Sequence, residues 1–291
     1  MNEIKSYHTI VIFIYFLAVI GFSMFFLHPV CIGLSLVCGF IYAWVLGGGK
    51  AIKTNLMISL PMILICGVIN TAFNHAGVST IAYFPDGNAL TVESMVYGFL
   101  TGGMIASVIS WFSCYNKVMT EDKFIYLFGR ISPSLALVVS MTLRFVPQYR
   151  DEFKKVVNAQ RCIGKDVRKG SVLTRIKTAT EIMSIMITWS LERSVTTSDS
   201  MRARGYGLPK RTAFSIFRFK KRDLFALLYM AALGTYIVFG ALSGAVAFEC
   251  FPYIRMNNEI SVFTAYLLLL IFPVIIEVKE GWKWKLLKRK I

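Results

Sequence analysis

No Asp, Glu, Lys or Arg stands between Lys5 and Lys50. An uncharged run of that length is about twice what one bilayer crossing of roughly 20 residues needs, so the chain must place two helices in lipid before its fiftieth residue. His28-Pro29 divides the run, and spans are read near 10–27 and 30–47. The Gly47-Gly48-Gly49-Lys50 loop, followed by Lys53, then returns the chain to the basic side, and 56–73 crosses again. Residues 74–90 hold Gly77, Pro85, Asp86 and Gly87 without a Lys or Arg, which suits an external loop. Further uncharged or nearly uncharged stretches give spans at 91–114, 224–247 and 260–277, and a tail carrying Lys279, Lys283, Lys285, Lys288, Arg289 and Lys290 ends on the cytoplasmic side. The expected fold is all-α: a polytopic membrane protein with about six transmembrane helices, both termini inside, and a cytoplasmic domain of long helices.

Composition agrees with a lipid solvent. Charged residues make up 16% of the chain and hydrophobic ones 56%, against about a quarter and about half in soluble domains, and the mean hydropathy is +0.60. The net charge of +16 follows from polybasic cytoplasmic loops, so nucleic acid is not an expected partner. More than half of the 32 basic residues fall in two windows, Arg150 to Lys177 and Arg193 to Arg222. These windows define a central insertion, 130–222, between a membrane domain at 1–129 and a last pair of spans at 223–291. Within the insertion, 131–147 and 179–191 are apolar but flanked by basic residues at both ends. A single crossing by either would put a cationic cluster outside, so both are read as interfacial helices, with a pair of true crossings as the alternative. Glu181 in the second segment is either a proton- or ion-carrying group or, more simply, the partner of Lys177 four residues back.

The insertion contains two helix endings of one kind. From Gln148 the chain reads as a helix opened by Pro147, with Asp151 and Glu152 at its positive end, Arg161 at its negative end, and Gly164 able to take the left-handed conformation past its last turn. A later helix runs from Glu192 through Met201 and Arg202 to Ala203-Arg204-Gly205. An Arg near the end and a Gly just beyond it let a guanidinium project past the helix toward carboxylates or carbonyls of a partner. Arg and Gly at one helix end are ordinary capping chemistry, whereas two such ends in one basic insertion point to docking. The remaining Lys and Arg form a solvated face toward anionic lipid.

Together, Leu143-Arg144-Phe145-Val146-Pro147, Glu152, Ala159-Gln160-Arg161 with Gly164, and Met201-Arg202-Ala203-Arg204-Gly205-Tyr206 resemble the transmembrane T component of energy-coupling factor transporters. The resemblance covers the insertion closely and the spans by their layout. It implies a non-catalytic scaffold in the plasma membrane of a prokaryote, set between two cytoplasmic ATPase subunits and a small membrane S component that captures a vitamin or a transition-metal ion. In that family two coupling helices end in Ala-Arg-Gly motifs that dock the ATPases. By the resemblance, Arg202, Ala203, Arg204 and Gly205 form one docking end, Ala159, Arg161 and Gly164 the other, and Arg144, Pro147 and Glu152 serve the coupling helices structurally. The second motif is complete. At the first, Cys162-Ile163-Gly164 replaces Ala-Arg-Gly, and Arg161 stands further back in the helix, so the two contacts are expected to be unequal, with Arg204 the stronger.

Other chemistry is not written in the chain. Neither Gly49-Lys50-Ala51 nor Gly164-Lys165-Asp166 completes a nucleotide-binding P-loop, and no catalytic residue, metal site or cofactor is expected. Glu121-Asp122 and Asp151-Glu152 do not form the aspartate clusters of membrane-embedded transferases. His8, His28 and His75 near span ends read as structural. Gly102, Gly103, Ala106 and Ser107 offer a close-packing face for an S component or for a neighbouring span of the same chain. The alternatives are a permease of a conventional ATP-driven transporter, which calls for one coupling loop and polar spans, and a membrane-integral transferase.

Overall fold

The computed structural model describes residues 3–83, 89–129, 132–166, 171–208 and 219–288. The loop residues Pro85, Asp86 and Gly87, the basic residues Arg168, Lys169, Lys210, Arg211 and Arg218, and Arg289 and Lys290 of the tail lie outside them, as does Ile131 at the start of the 131–147 segment. Among the described residues a short 3-10 turn at Glu3–Ser6 is followed by eight α-helices: α1 (Thr9–Phe25), α2 (Pro29–Phe73), α3 (Val92–Val118), α4 (Glu121–Gly129), α5 (Pro133–Cys162), α6 (Val172–Ala203), α7 (Lys221–Leu242) and α8 (Ile260–Lys288). Two small antiparallel hairpins, Thr80–Tyr83 with Ala89–Thr91 and Phe248–Glu249 with Arg255–Met256, occupy loops that sequence reasoning left irregular. The chain is an all-α polytopic membrane protein that divides into two compact units, Met1–Phe124 with Phe217–Ile291, and Ile125–Ile216.

In the first unit, α2, α3, α7 and the Ile260–Lys279 part of α8 are long and apolar enough to cross a membrane, and α1 is a shorter apolar helix. The α2 helix has 45 residues, roughly 67 Å at 1.5 Å per residue and too long for one crossing. It breaks at Gly48, whose φ of 63° and ψ of −161° leave the helical region. The first half runs parallel to α3, with Ile32 beside Gly103 and Gly39 beside Ser110; the second runs antiparallel, with Asn55 beside Ser110, Ile63 beside Gly102 and Gly67 beside Gly98. Gly48 therefore reverses the chain, and α2 supplies two apolar segments. The expected loop from Gly47 to Lys50 is corrected to a single-residue break, because the helix resumes at once on both sides of Gly48, the one of the three glycines that leaves the helical region.

Sequence spacing explains the helix starts. His8 and His28 are N-cap residues whose Nδ1 atoms accept from Ile10 N and Val30 N, each at 3.3 Å, and Pro29 opens α2. Two of the three histidines thus do backbone work. Thr91 caps α3 through Ser94 N at 3.4 Å. Asp223, only 1% exposed, accepts from Lys220 N at 2.8 Å and from His8 N at 3.2 Å, tying the start of α7 to the start of α1. The α7 helix stops at Leu242, short of the expected 247, because Gly244 at φ 81° terminates it, with Ala245 N bonded back to Gly240 O at 3.0 Å.

The core of this unit is aromatic, with Phe16, Tyr42, Trp111 and Tyr266 no more than 1% exposed. Trp111 Nε1 donates to Ser35 Oγ at 3.0 Å; Ser35 Oγ lies 2.7 Å from Ser23 Oγ, which lies 3.2 Å from the Tyr266 hydroxyl. One polar chain links α1, α2, α3 and α8 and satisfies groups for which lipid offers no partner. The small-residue face of α3 is used within the chain: Gly102 meets Ile63 and Cys66, Gly103 meets Ile32, and Ala106 and Ser107 are fully buried. It is not a free face for another protein.

In the second unit, α5 and α6 are the main elements, and two expectations are corrected. Pro147 lies inside α5 rather than opening a new helix, and α6 is one helix from Val172 onward that absorbs both 179–191 and the run from Glu192. Pro133 is the proline that opens a helix. An internal proline removes one backbone bond, but Phe145 and Tyr149, one turn apart across Pro147, meet edge-on at 6.5 Å, and Tyr149 meets Trp189 of α6 edge-on at 5.1 Å. That packing holds the helix through the break.

Candidate docking ends of the basic unit

The two long helices of the second unit end in the same backbone device. At the end of α5, Gly164 takes φ 85°, its N–H donates to Arg161 O at 3.0 Å, and Lys165 N donates to Gln160 O at 2.9 Å. At the end of α6, Gly205 takes φ 81°, its N–H donates to Arg202 O at 2.9 Å, and Tyr206 N donates to Met201 O at 3.0 Å. Both are Schellman terminators, with the bonding pattern of such a motif complete at each. The shared pattern sets an unambiguous register between the ends. Arg161 corresponds to Arg202, Cys162 to Ala203, and Ile163 to Arg204.

The correspondence places Arg161 two positions before the place equivalent to Arg204. Arg161 is also occupied, its Nε lying 3.3 Å from Asp166 Oδ1 in the chain that follows the helix. Ile163, at the terminal position, is 72% exposed. The next cation, Lys165, reaches Glu181 Oε2 of α6 at 2.6 Å. Glu181 thus pairs across the α5–α6 connection rather than with Lys177 at helical spacing; the hydrogen bond from Lys165, with the charges of Lys165 and Lys177, holds its carboxyl below the usual carboxylate value. The α5 end is locally neutralised.

The α6 end is not. Arg202 and Arg204 are exposed and make no ion pair with any described residue. Arg204 faces a cleft of about 360 Å³, into which α5 places Arg144 and Gln148 and α6 places Arg193, Ser200 and Met201. Three guanidiniums line it without a carboxylate. The amide oxygen of Gln148 is buried there without a partner. The structure therefore brings Arg144 and Arg204 together, while Ala159, Arg161 and Gly164 belong to the other end. Nineteen residues separate Arg144 from Ile163 along α5, which is roughly 28 Å of helix. Pro147 is an internal helix residue, and Glu152 binds Lys155 Nζ at 3.0 Å on the same helix. Gln148 and Arg193 were not singled out by sequence, and nothing short of the helix pairing would reveal them.

Residues 4–215 match the CbiQ family, described as cobalt transport protein. The chain belongs to that family. Its curated relatives include the energy-coupling factor transporter transmembrane protein EcfT of Lactobacillus helveticus, 38% identical over 107 residues that cover 36% of this chain and 39% of the relative. The EcfT 1 protein of Listeria monocytogenes is 35% identical over 100 residues, 34% of this chain and 38% of the relative. That of Lacticaseibacillus paracasei is 34% identical over 109 residues, 37% and 39% of the two chains. The chain spans about two fifths of the length of these relatives. With four helices long and apolar enough to cross a membrane and this membership, the chain is a membrane-embedded transport component of the CbiQ family, similar to the transmembrane proteins of energy-coupling factor transporters.

Proposed function

We propose that this chain is the T component of such a transporter, a non-catalytic, force-transmitting scaffold whose α5 and α6 are coupling helices docking two separate cytoplasmic ATPase subunits, and whose apolar spans hold a small S component carrying a vitamin or a transition-metal ion. The observation that carries the reading is the pair of equivalent helix terminators, one of which offers Arg204 exposed and without an ion partner among the described residues. A guanidinium at a rigid helix end can make forked hydrogen bonds to carboxylates or carbonyls in a groove. ATP-driven approach of the two ATPases would then move helix ends about 28 Å apart along α5 and pass the motion to the S component.

The polybasic unit belongs, on this reading, at the cytoplasmic face of a prokaryotic plasma membrane with both termini inside. There its Lys and Arg gain about 1 kcal/mol each from anionic lipid. Purification in mild detergent tests the assignment. Two ATPase chains and a small hydrophobic protein should copurify; ATPases with a soluble binding protein instead would favour a conventional permease, and nucleotide hydrolysis by the purified chain alone would overturn the proposal.

A further inference from the structure

We infer that the lysine-tipped groove along α3 is a seat for one anionic glycerophospholipid, with its phosphate on Lys117 and one acyl chain laid along Ile109 and Phe112. The inference goes beyond the docking role proposed above and needs only the membrane-embedded first unit, so its failure would leave that role untouched.

Ile109, Phe112, Ser113, Asn116 and Lys117 recur at three- and four-residue spacing on one face of α3, and they line an open groove of about 560 Å³. One end of it is apolar, formed by Ile109 and an exposed Phe112. Toward the last turn of the helix, Ser113, Asn116 and Lys117 offer hydroxyl, amide and ammonium donors, and no carboxylate is among the described lining residues. The groove thus passes from hydrocarbon to donors within roughly 12 Å of helix, the order in which a phospholipid presents acyl chain, ester and phosphate. A soluble anion would use only the donor end, and a neutral lipid only the apolar one.

The cation is held in place and left without a counter-charge. Lys117 Nζ occupies the position that a Cβ on Gly47 would take, so the side chain lies across the end of the first half of α2, just before the reversal at Gly48. Among the described residues Lys117 makes no ion pair, and neither do Lys50 and Lys53, both exposed just past that reversal. Glu121 and Asp122, which open α4, make none with it either. A lysine in the last turn of a helix also meets the helix's carbonyl ends, but that does not account for the apolar groove leading up to it. Where spans leave the lipid, a phosphate headgroup is the anion the membrane itself supplies, and basic pockets on transmembrane helices recognise it.

Native mass spectrometry of the full chain, purified in mild detergent and titrated with palmitoyl-oleoyl phosphatidylglycerol or with the phosphatidylcholine of the same chains, tests this. One phosphatidylglycerol should bind several-fold more tightly than phosphatidylcholine. Lys117→Gln should abolish the preference, Lys117→Arg should keep it, and Lys53→Gln, which deletes the same charge outside the groove, should leave it in place. Should Lys117→Gln fail to fold, Ser113→Phe, which fills the groove and keeps every cation, should lower phosphatidylglycerol binding several-fold. In nanodiscs, a phosphatidylglycerol carrying a diazirine in its acyl chain should label the peptide that contains Ile109 and Phe112. Equal loss in Lys53→Gln and Lys117→Gln would show diffuse attraction to a basic surface, and displacement of the lipid by inorganic phosphate would show a site for soluble anions. Either result, or labelling confined to other helices, overturns the inference.

Discussion

Lys165 Nζ lies 2.6 Å from Glu181 Oε2, joining the residue just past the end of α5 to the third turn of α6. The pair closes the connection between the two helices on which the docking ends are mounted, and its hydrogen bond lowers the Glu181 pKa from 4.5.

Because the folded value is the lower one, the contribution is fully present above pH 4.5 and is lost as pH falls through the folded value. Amide protection in the first turns of α6, taken relative to the intrinsic exchange rate at each pH, should therefore fall on acidification below that point and be flat above it. In Glu181→Gln the protection should be lower above that point, should match the wild type once Glu181 is protonated, and the acid-dependent step should disappear. A step that persists in the variant would assign it to another carboxylate.

Gly48 makes a second prediction. A Cβ there would meet nothing within 4 Å, so substitution costs only the backbone conformation at φ 63°. A β-branched residue should cost about 1–3 kcal/mol. Gly48→Val should lower the detergent melting temperature, while Gly49→Ala, equally open but at ordinary φ, should not. Equal melting of both variants would show that the reversal does not depend on this residue.

The apolar segments were legible from charge at most of their ends and from His28-Pro29 and the loop 74–90 at the others, and the two Gly terminators because Gly164 and Gly205 follow an Arg-bearing turn. Tertiary pairing decided the remainder. Nothing local says that Pro147 sits within a continuous helix; that depends on Tyr149 meeting Trp189 forty residues away in sequence. Lys165 and Glu181 are sixteen residues apart, a separation that no helical periodicity flags, whereas Lys177 at i−4 is the obvious partner and loses to it. The register that equates Ile163 with Arg204 was legible from the Gly that follows each, and the backbone bonds at Gly164 and Gly205 agree with it.

The contact between Gly98 and Gly67 sets the spacing of α3 against the second half of α2. A Cβ on Gly98 would stand 3.0 Å from Gly67 O and 2.8 Å from Asn70 Cβ, and backbone cannot swing away as a side-chain tip can. Alanine in a helix is worth about 0.5–1 kcal/mol over glycine, but overpacking costs about 1–3 kcal/mol, so the clash wins. Gly98→Ala should destabilise the protein in thermal unfolding. Gly21→Ala, with nothing within 4 Å, should be neutral or stabilising.

On the docking role proposed above, the two helix ends differ in how much one side chain should matter. Arg204 has no ion partner among the described residues, so its truncation leaves the rest of the chain unaltered and removes only what it gives a partner. Arginines at interface centres are worth about 2 kcal/mol or more, and Arg204→Ala should weaken ATPase association at least about 30-fold. Arg204→Lys keeps the charge but loses the planar fork, and should recover only part of the loss. Arg161 is already engaged by Asp166 on a half-exposed surface, where such pairs are worth about 1 kcal/mol at most. Arg161→Ala should therefore change association by less than about fivefold. Titration of detergent-purified T component with its ATPases, read by fluorescence anisotropy, gives both values on one scale. If Arg161→Ala proves as damaging as Arg204→Ala, the guanidinium at 161 reaches the partner despite Asp166, and the ranking of the two ends fails.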